Sequence, residues 1–330
     1  MRKGRMGLGR LVAFTIALMM VAAACGDDNS ATTTSAQERF SVGVVFIYAN
    51  PFATGVELGM RSVAEDNNVD IQFANANGDA QLEAAAVQNF IALGVDLLIY
   101  APLDPSASVV NVEAAAAAGI PVICFDSCVN EDAMALYVAG YVTSDNTKLG
   151  EISGALAADY ITAQMGGAAQ AGFLTCEVFD ICGQRRHGID SALSALQVEV
   201  LASQEGYISD RAEPLAENML TANPDINIFI AENEGGLQGA AAAIRALGLS
   251  VPVFGIDMDP SIAELLLADD NIVQGTAGQN TFGIGEKALQ MGLDLLRGNE
   301  ISKEPVLIDP LPYSREDPEA VRQFIADFGG

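Results

Sequence analysis

The chain has no tryptophan, one histidine, and 16 basic residues against 43 acidic ones in 330. Each shortage closes a route. With His187 as the only histidine and no G-x-S-x-G elbow, a Ser-His-Asp triad has no support. The same lone histidine, with no C-x2-C pair, argues against a zinc site, so no metal is expected. "GGLQGA" and "GLGR" are not phosphate loops, and the paired carboxylates Asp269-Asp270 sit in a polar turn where solvated charge is the simpler reading. Neither an enzyme nor a cofactor is expected. Four of the few basic residues, Arg2, Lys3, Arg5 and Arg10, fall in the first ten positions. Without them 12 basic residues face 43 acidic ones, a net charge of −31. Such a surface repels phosphate backbones, which excludes nucleic acid as a partner, and it disfavours lying on anionic lipid.

The chain opens with a basic segment, "MRKGRMGLGR", followed by the apolar run "LVAFTIALMMVAAA" of 14 residues. That run is short for a membrane span and has the order of a secretory signal over residues 1–24. It ends at Cys25. "AAAC" followed by Gly26 resembles the bacterial lipoprotein processing site, where cleavage precedes a cysteine whose sulfur carries a diacylglycerol. Residues 25–39, "GDDNSATTTSAQER" after the cysteine, are small and polar and suit a flexible tether. The reading is an exported chain anchored through lipidated Cys25 to the outer face of the cytoplasmic membrane, or periplasmic. Beyond Cys25 stand four cysteines, Cys124, Cys128, Cys176 and Cys182. An even count in an exported protein favours disulfides, and short spacing favours pairing Cys124 with Cys128 and Cys176 with Cys182.

From Phe40 onward, strand-like and helix-like segments alternate. "SVGVVFI", "DIQFANA", "VDLLIYAP", "IPVICFD" and "ALYVAGYVT" make a first series of strands. "AGFLTCEV", "EVLASQE", "INIFIAE", "VPVFGID" and "IVQGTAG" make a second, with helical segments between. Continuous apolar strands separated by helices imply parallel sheets covered on both faces. Gly94, Gly119, Gly248 and Gly298 mark helix ends. The two series share a plan, so the fold class is α/β with two doubly wound parallel-sheet lobes.

The strand ends carry more information than the strands. "ANPF" places Asn50, Pro51 and Phe52 after the first strand. "FDS" places Asp126 and Ser127, "CGQRR" places Arg185, "AEN" Asn233, "GID" Asp257 and "TAGQN" Gln279. Any one of these alone reads as a helix cap or loop residue. Together, amides, carboxylates and a guanidinium suit a ring of hydroxyls, each of which both donates and accepts. Open α/β sheets bind ligands outside the carboxyl ends of their strands. Phe52 offers a flat apolar wall for a sugar face.

In order and spacing, "ANPF", "GIPVICFD", "TSDN", "RRHG", "AENEGGLQGA", "VFGID" and "GTAGQ" resemble the type I periplasmic-binding-protein fold, and within it the ribose- and galactose-type solute-binding proteins of ABC importers. The resemblance runs from about Phe40 to about Ile308. It implies a sugar held by Asn50, Phe52, Asp126, Ser127, Arg185, Asn233, Asp257 and Gln279, delivery to a membrane permease, and a monomer. It also implies an N-terminal lobe of residues 40–144 with 280–308, and a C-terminal lobe of residues 145–279 with 309–330. The lobes join through three crossovers near Thr143–Asp145, Ala277–Gln279 and Ile308–Leu311. The final "SREDPEAVRQFIADFGG" exceeds the usual end and reads as an added helix. Two departures bear on the ligand. Ala53 stands where a second aromatic often follows, and Ser209 stands near the position of the C-terminal-lobe aromatic. A polyol or other small polar ligand therefore stays open, as does a sensory role at a membrane receptor. The lactose-repressor-type transcription factors share the fold but begin with a helix-turn-helix, where this chain begins with a signal.

Overall fold

The computed structural model describes residues 39–328; the expected signal, most of the expected tether and Cys25 lie outside them. The first series runs β1 (Phe40–Phe46), α1 (Pro51–Asn67), β2 (Val69–Asn75), α2 (Ala80–Leu93), β3 (Leu97–Tyr100), α3 (Val109–Ala117), β4 (Val122–Phe125), α4 (Glu131–Tyr137) and β5 (Gly140–Ser144). After α5 (Asn146–Met165) comes the second: β6 (Ala168–Thr175), α6 (Asp180–Leu193), β7 (Gln197–Glu205), α7 (Ser209–Ala222), β8 (Ile228–Ala231), α8 (Glu234–Ala246), β9 (Val253–Ile256), α9 (Pro260–Leu267) and β10 (Val273–Gly278). The chain finishes with α10 (Thr281–Leu296), β11 (Val306–Ile308), β12 (Leu311–Ser314) and α11 (Pro318–Phe328).

Two six-stranded sheets result, ordered β11-β5-β4-β3-β1-β2 and β12-β10-β9-β8-β6-β7. The orders coincide when β1 to β5 are matched with β6 to β10, so the second series repeats the first. This is the doubly wound, two-lobed α/β architecture expected from the sequence. Pairing is parallel except between β10 and β12. β12 turns back after Asp309-Pro310 and carries Pro312, which an edge strand tolerates. Every residue of β3, β4, β8 and β9 is buried, as central strands covered on both faces require.

The chain passes between the sheets three times. It leaves β5 for α5, which packs on β9 and β10 of the second sheet; it leaves β10 for α10, which packs on β3, β4 and β5 of the first; and it crosses once more between β11 and β12. Glycines let these crossover helices approach their neighbours backbone to backbone. A Cβ on Gly150 of α5 would overlap the carbonyl oxygen of Arg185 in α6, and one on Gly188 would overlap the carbonyl of Thr147. The α1–α10 pair is closed the same way by Gly59 and Gly285.

One expected strand begins later than its pattern suggests. "ALYVAGYVT" is apolar throughout, yet Ala135 to Tyr137 complete α4 and β5 starts at Gly140. The Asn130 side chain accepts from Ala133 N at 3.0 Å, and Glu131 and Asp132 fill the first turn, so a capped helix forms first. The C-terminal segment is helical as α11. Val321 and Phe324 are buried against the second sheet, and Phe324 stands between the rings of Tyr313 (5.5 Å) and Phe328 (4.9 Å).

Candidate ligand-binding site

The carboxyl ends of β1, β4 and β9 and the turn after β10 border a cavity of about 540 Å3 between the lobes. Its walls include Asn50, Phe52, Asp126, Asp257 and Gln279 from the sequence reading, together with Tyr48, Glu234, Met258 and Asp259. A larger groove, about 700 Å3, lies between α11 and the start of α10, but Leu58, Phe282, Leu311, Pro312 and Phe324 dominate it and few polar groups converge there.

Asp126 and Asp257 occupy matching positions, directly after β4 and β9. Both have left-handed backbone, with φ of 61° and 78°. For an aspartate this conformation is uncommon and strained, and such strain gathers at functional sites. The same bonds hold it in each lobe. Asp126 N donates to Val142 O (2.9 Å) and Asp257 N to Ala277 O (2.8 Å). The Asp126 carbonyl accepts from Thr143 Oγ1 (2.9 Å) and Tyr141 Oη (2.7 Å), and the Asp257 carbonyl accepts from Thr276 Oγ1 (2.7 Å).

The two carboxylates differ in their partners. Asp257 Oδ2 accepts from Arg185 Nη1 (3.3 Å) and Glu234 N (3.4 Å), and its Oδ1 accepts from Gln279 Nε2 (3.2 Å). The Asp126 carboxylate accepts no hydrogen bond among the described residues. Burial, reinforced by Asp257 and opposed by Arg185, pushes Asp126 up to about 6. Glu234 rises to about 7, first through burial and then through Asp259 and Asp257. The cavity is thus rich in carboxylates, and among the described residues no cationic side chain lines it.

Arg185 lies inside α6 and not in the loop after β6, and its side chain is only 5% exposed. Nε donates to Asn146 Oδ1 (3.0 Å) at the start of α5, and Nη1 donates to Glu232 O (3.0 Å) as well as to Asp257. Arg186, next in sequence, points away: it stacks over Phe173 at 4.2 Å and pairs with Asp190. The Gly150–Gly188 contact is what brings the Asn146 end of α5 within reach of Arg185.

Gln279 spans the crossovers. Its Oε1 accepts from Ser144 Oγ at 2.8 Å while its amide reaches Asp257. Asn50 caps α1, with Oδ1 accepting from Ala53 N (2.9 Å), and its Nδ2 has no partner among the described residues. Three residues of the sequence reading do not line the cavity. Asn233 caps α8 through Gly236 N and donates to Tyr207 O (2.9 Å). Ser127 donates to Pro102 O (3.0 Å). Arg185 stands behind Asp257. Asp259 went unread, although Asp259-Pro260 repeats the device of Asn50-Pro51: an extended cap (φ −141° against −147°) followed by proline at the first helical position. That dipeptide was the available signal.

Cys124 is bonded to Cys128 and Cys176 to Cys182. The first pair brackets Asp126; the second closes the loop leading into α6. Among the described residues no group of three histidine, cysteine or acidic side chains could hold a metal ion, and no helix is long and apolar enough to cross a membrane.

The periplasmic binding protein domain family matches residues 42–300. An ABC transporter periplasmic-binding protein of Escherichia coli is 30% identical over 302 residues, which cover 84% of this chain and 92% of the relative. The ribose import binding protein of Bacillus subtilis is 28% identical over 270 residues, 81% of this chain and 85% of its own. Among solved structures, a periplasmic solute-binding protein of Actinobacillus succinogenes with bound D-allose superposes with a TM-score of 0.73 at 25% identity, covering 86% of this chain and 99% of that one.

Proposed function

The chain belongs to the periplasmic binding protein domain family, and on that premise we propose that it captures a monosaccharide, a pentose or hexose, in the interlobe cleft and delivers it to an ABC permease. As a family member it is an extracytoplasmic solute-binding component of a transporter and not an enzyme. The observation that carries the sugar reading is the pair Asp126 and Asp257, two strained aspartates at equivalent strand ends facing one cavity. Carboxylates accept from adjacent hydroxyls, and hydrogen bonds to charged groups contribute roughly 1.5–3 kcal/mol each. Phe52 and Tyr48 supply ring faces. A cavity of about 540 Å3 has room for one sugar ring.

Charge narrows the ligand class. Asp126, Glu234, Asp257 and Asp259 line the cavity, while the nearest guanidinium, Arg185, is already paired with Asp257. Sugar phosphates and sugar acids would bring an anion among carboxylates, so the ligand is an uncharged polyhydroxyl compound. Relatives are named for ribose and for xylitol, and one neighbouring structure holds D-allose. The test is a thermal-shift screen with D-ribose, D-allose, other pentoses and hexoses, xylitol and myo-inositol, with ribose 5-phosphate and gluconate as anionic controls. Stabilisation by a neutral sugar and by neither anion supports the reading; stabilisation by the anions alone would overturn it.

Residues 40–144 with 280–308 and residues 145–279 with 309–330 are taken as two bodies that close over the ligand about the three crossovers. Closure joins both rims into one surface for the permease. Cys25 is taken as the lipid attachment point: Cys25→Ser is expected to leave the protein unprocessed or release it from the membrane fraction, and unchanged membrane association would contradict this.

A further inference from the structure

The two site aspartates are held by different means, and the difference assigns a role to a disulfide. Asp257 has three side-chain and backbone donors around its carboxylate, from Arg185, Gln279 and Glu234. Asp126 has none among the described residues, so nothing at its far end fixes its aim. Its direction depends on its backbone, and that backbone is in a left-handed conformation with φ of 61°. Bonds from Val142, Tyr141 and Thr143 of β5 fix the Asp126 N–H and carbonyl, and a short local segment fixes the rest of the turn. Phe125 is anchored in the core, edge-on to Phe46 at 5.4 Å, and Ser127 N turns back to Phe125 O at 2.7 Å. The Cys124–Cys128 bond then closes a ring of which Asp126 is the middle residue. The matching turn after β9, Asp257-Met258-Asp259, has no such bond, and there side-chain and backbone donors fix the carboxylate instead.

A disulfide across so few residues removes little entropy from the unfolded chain, because that effect grows with the length of the closed loop. Its consequence is local. Cys124 is fully buried, while Cys128 is only partly so, at the turn itself. Resting on the ligand site proposed above, we propose that the Cys124–Cys128 disulfide is a positioning element that holds the unpartnered Asp126 carboxylate in its ligand-facing direction. Without the bond, the hydrogen bonds from β5 still hold the Asp126 backbone, as their counterparts hold Asp257, but the turn loosens and the unpartnered carboxylate swings among rotamers that do not meet the ligand's hydroxyls.

The test is a double-mutant cycle on the full chain, read by calorimetry with the sugar that stabilises the parent most in the screen. Cys128→Ala is the first variant, because the remaining Cys124 thiol sits in the core as a small apolar group. Cys124→Ala/Cys128→Ala is the second, should a free thiol cause misfolding. Asp126→Asn, with the disulfide intact, closes the cycle. Expected is a Kd raised at least fivefold in Cys128→Ala, and no further rise when Cys128→Ala is added to Asp126→Asn. A fold-change that is the same in both backgrounds would show general loosening and overturn the proposal. So would an unchanged Kd in Cys128→Ala beside a weakened Asp126→Asn, which leaves the ligand site standing. Should Asp126→Asn bind as the parent does, the site itself falls and the proposal with it.

Discussion

At the scale of single residues, the cleft spends part of its folding stability on being ready for a ligand. Asp126 and Glu234 are carboxylates pushed up to about 6 and about 7 by burial and by each other's neighbours. A group whose value is raised on folding contributes stability that is fully present below its unfolded value, near 4, and lost as pH rises through the folded value. The ligand-free protein therefore carries an unrelieved penalty at pH 8 that is partly lifted at pH 5. Asp126→Asn is expected to have a higher Tm than the parent at pH 8, with the difference shrinking at pH 5. Binding runs the other way, since a protonated Asp126 accepts less well, so affinity for a neutral sugar should fall below about pH 6. A Tm difference independent of pH would remove Asp126 from this account. Arg185 is the complementary case. It touches no cavity surface, yet it is buried and holds Asp257, Asn146 and the Glu232 carbonyl together. Arg185→Ala leaves Asn146 Oδ1 and the Glu232 carbonyl unpaired, each loss costing about 1–3 kcal/mol, and strips Asp257 of its cation. Affinity is expected to fall at least tenfold, about 1.4 kcal/mol. Arg185→Lys should not restore it, because one ammonium cannot reproduce the fork. Normal affinity in a folded Arg185→Ala protein would show the ion pair to be structural only.

At the scale of elements, position is set by glycines at helix crossings. Gly150 and Gly188 bring α5 and α6 into backbone contact, which puts Asn146 beside Arg185. Gly150→Ala adds a methyl where the Arg185 carbonyl already stands, and overpacking of this kind costs about 1–3 kcal/mol. Both Tm and affinity should drop, whereas Gly183→Ala, with open space around its Cβ in the partner helix α6, should change neither. Equal effects at the two positions would contradict the crossing argument. The sequence made most of this scale legible. Continuous apolar runs announced the central strands, because burial on both faces leaves no alternation. Arg185 was misplaced by local reading, since "CGQRRHG" carries turn-like residues and only the α5–α6 packing makes it helical. Asn233 and Asn50 looked alike as amides at strand ends. Their difference, a second bond from Asn233 to the Tyr207 carbonyl, comes from a loop 26 residues away and leaves no local trace. Likewise the last turn of α4 was hidden in an apolar stretch, behind a helical start that rests on an asparagine cap and two acidic residues.

At the scale of the whole molecule, the repeat explains why one cleft has two similar walls. Each sheet delivers an aspartate in left-handed backbone from its β4 or β9 end, so a ligand between the lobes meets acceptors from both sides. Gln279 connects this to the crossovers, since it holds Asp257 with one end and Ser144 of the other lobe with the other. In the proposed reading, a ligand that engages both aspartates gains contacts only when the lobes approach, and that differential contact would shift the population toward a closed state. Small-angle scattering should accordingly show a smaller radius of gyration with saturating sugar than without. In a Gln279→Ala variant the ligand-induced decrease should be reduced. An unchanged radius in the parent at saturation would separate binding from closure.

The most direct test of the central claim is calorimetry of the parent and of Asp126→Asn and Asp257→Asn with the neutral sugar that gives the largest thermal shift. The account predicts one ligand per chain and at least a tenfold loss of affinity in each variant, with both variants folded by circular dichroism. Parent-like affinity in both variants would place the ligand outside the interlobe cleft and contradict the claim.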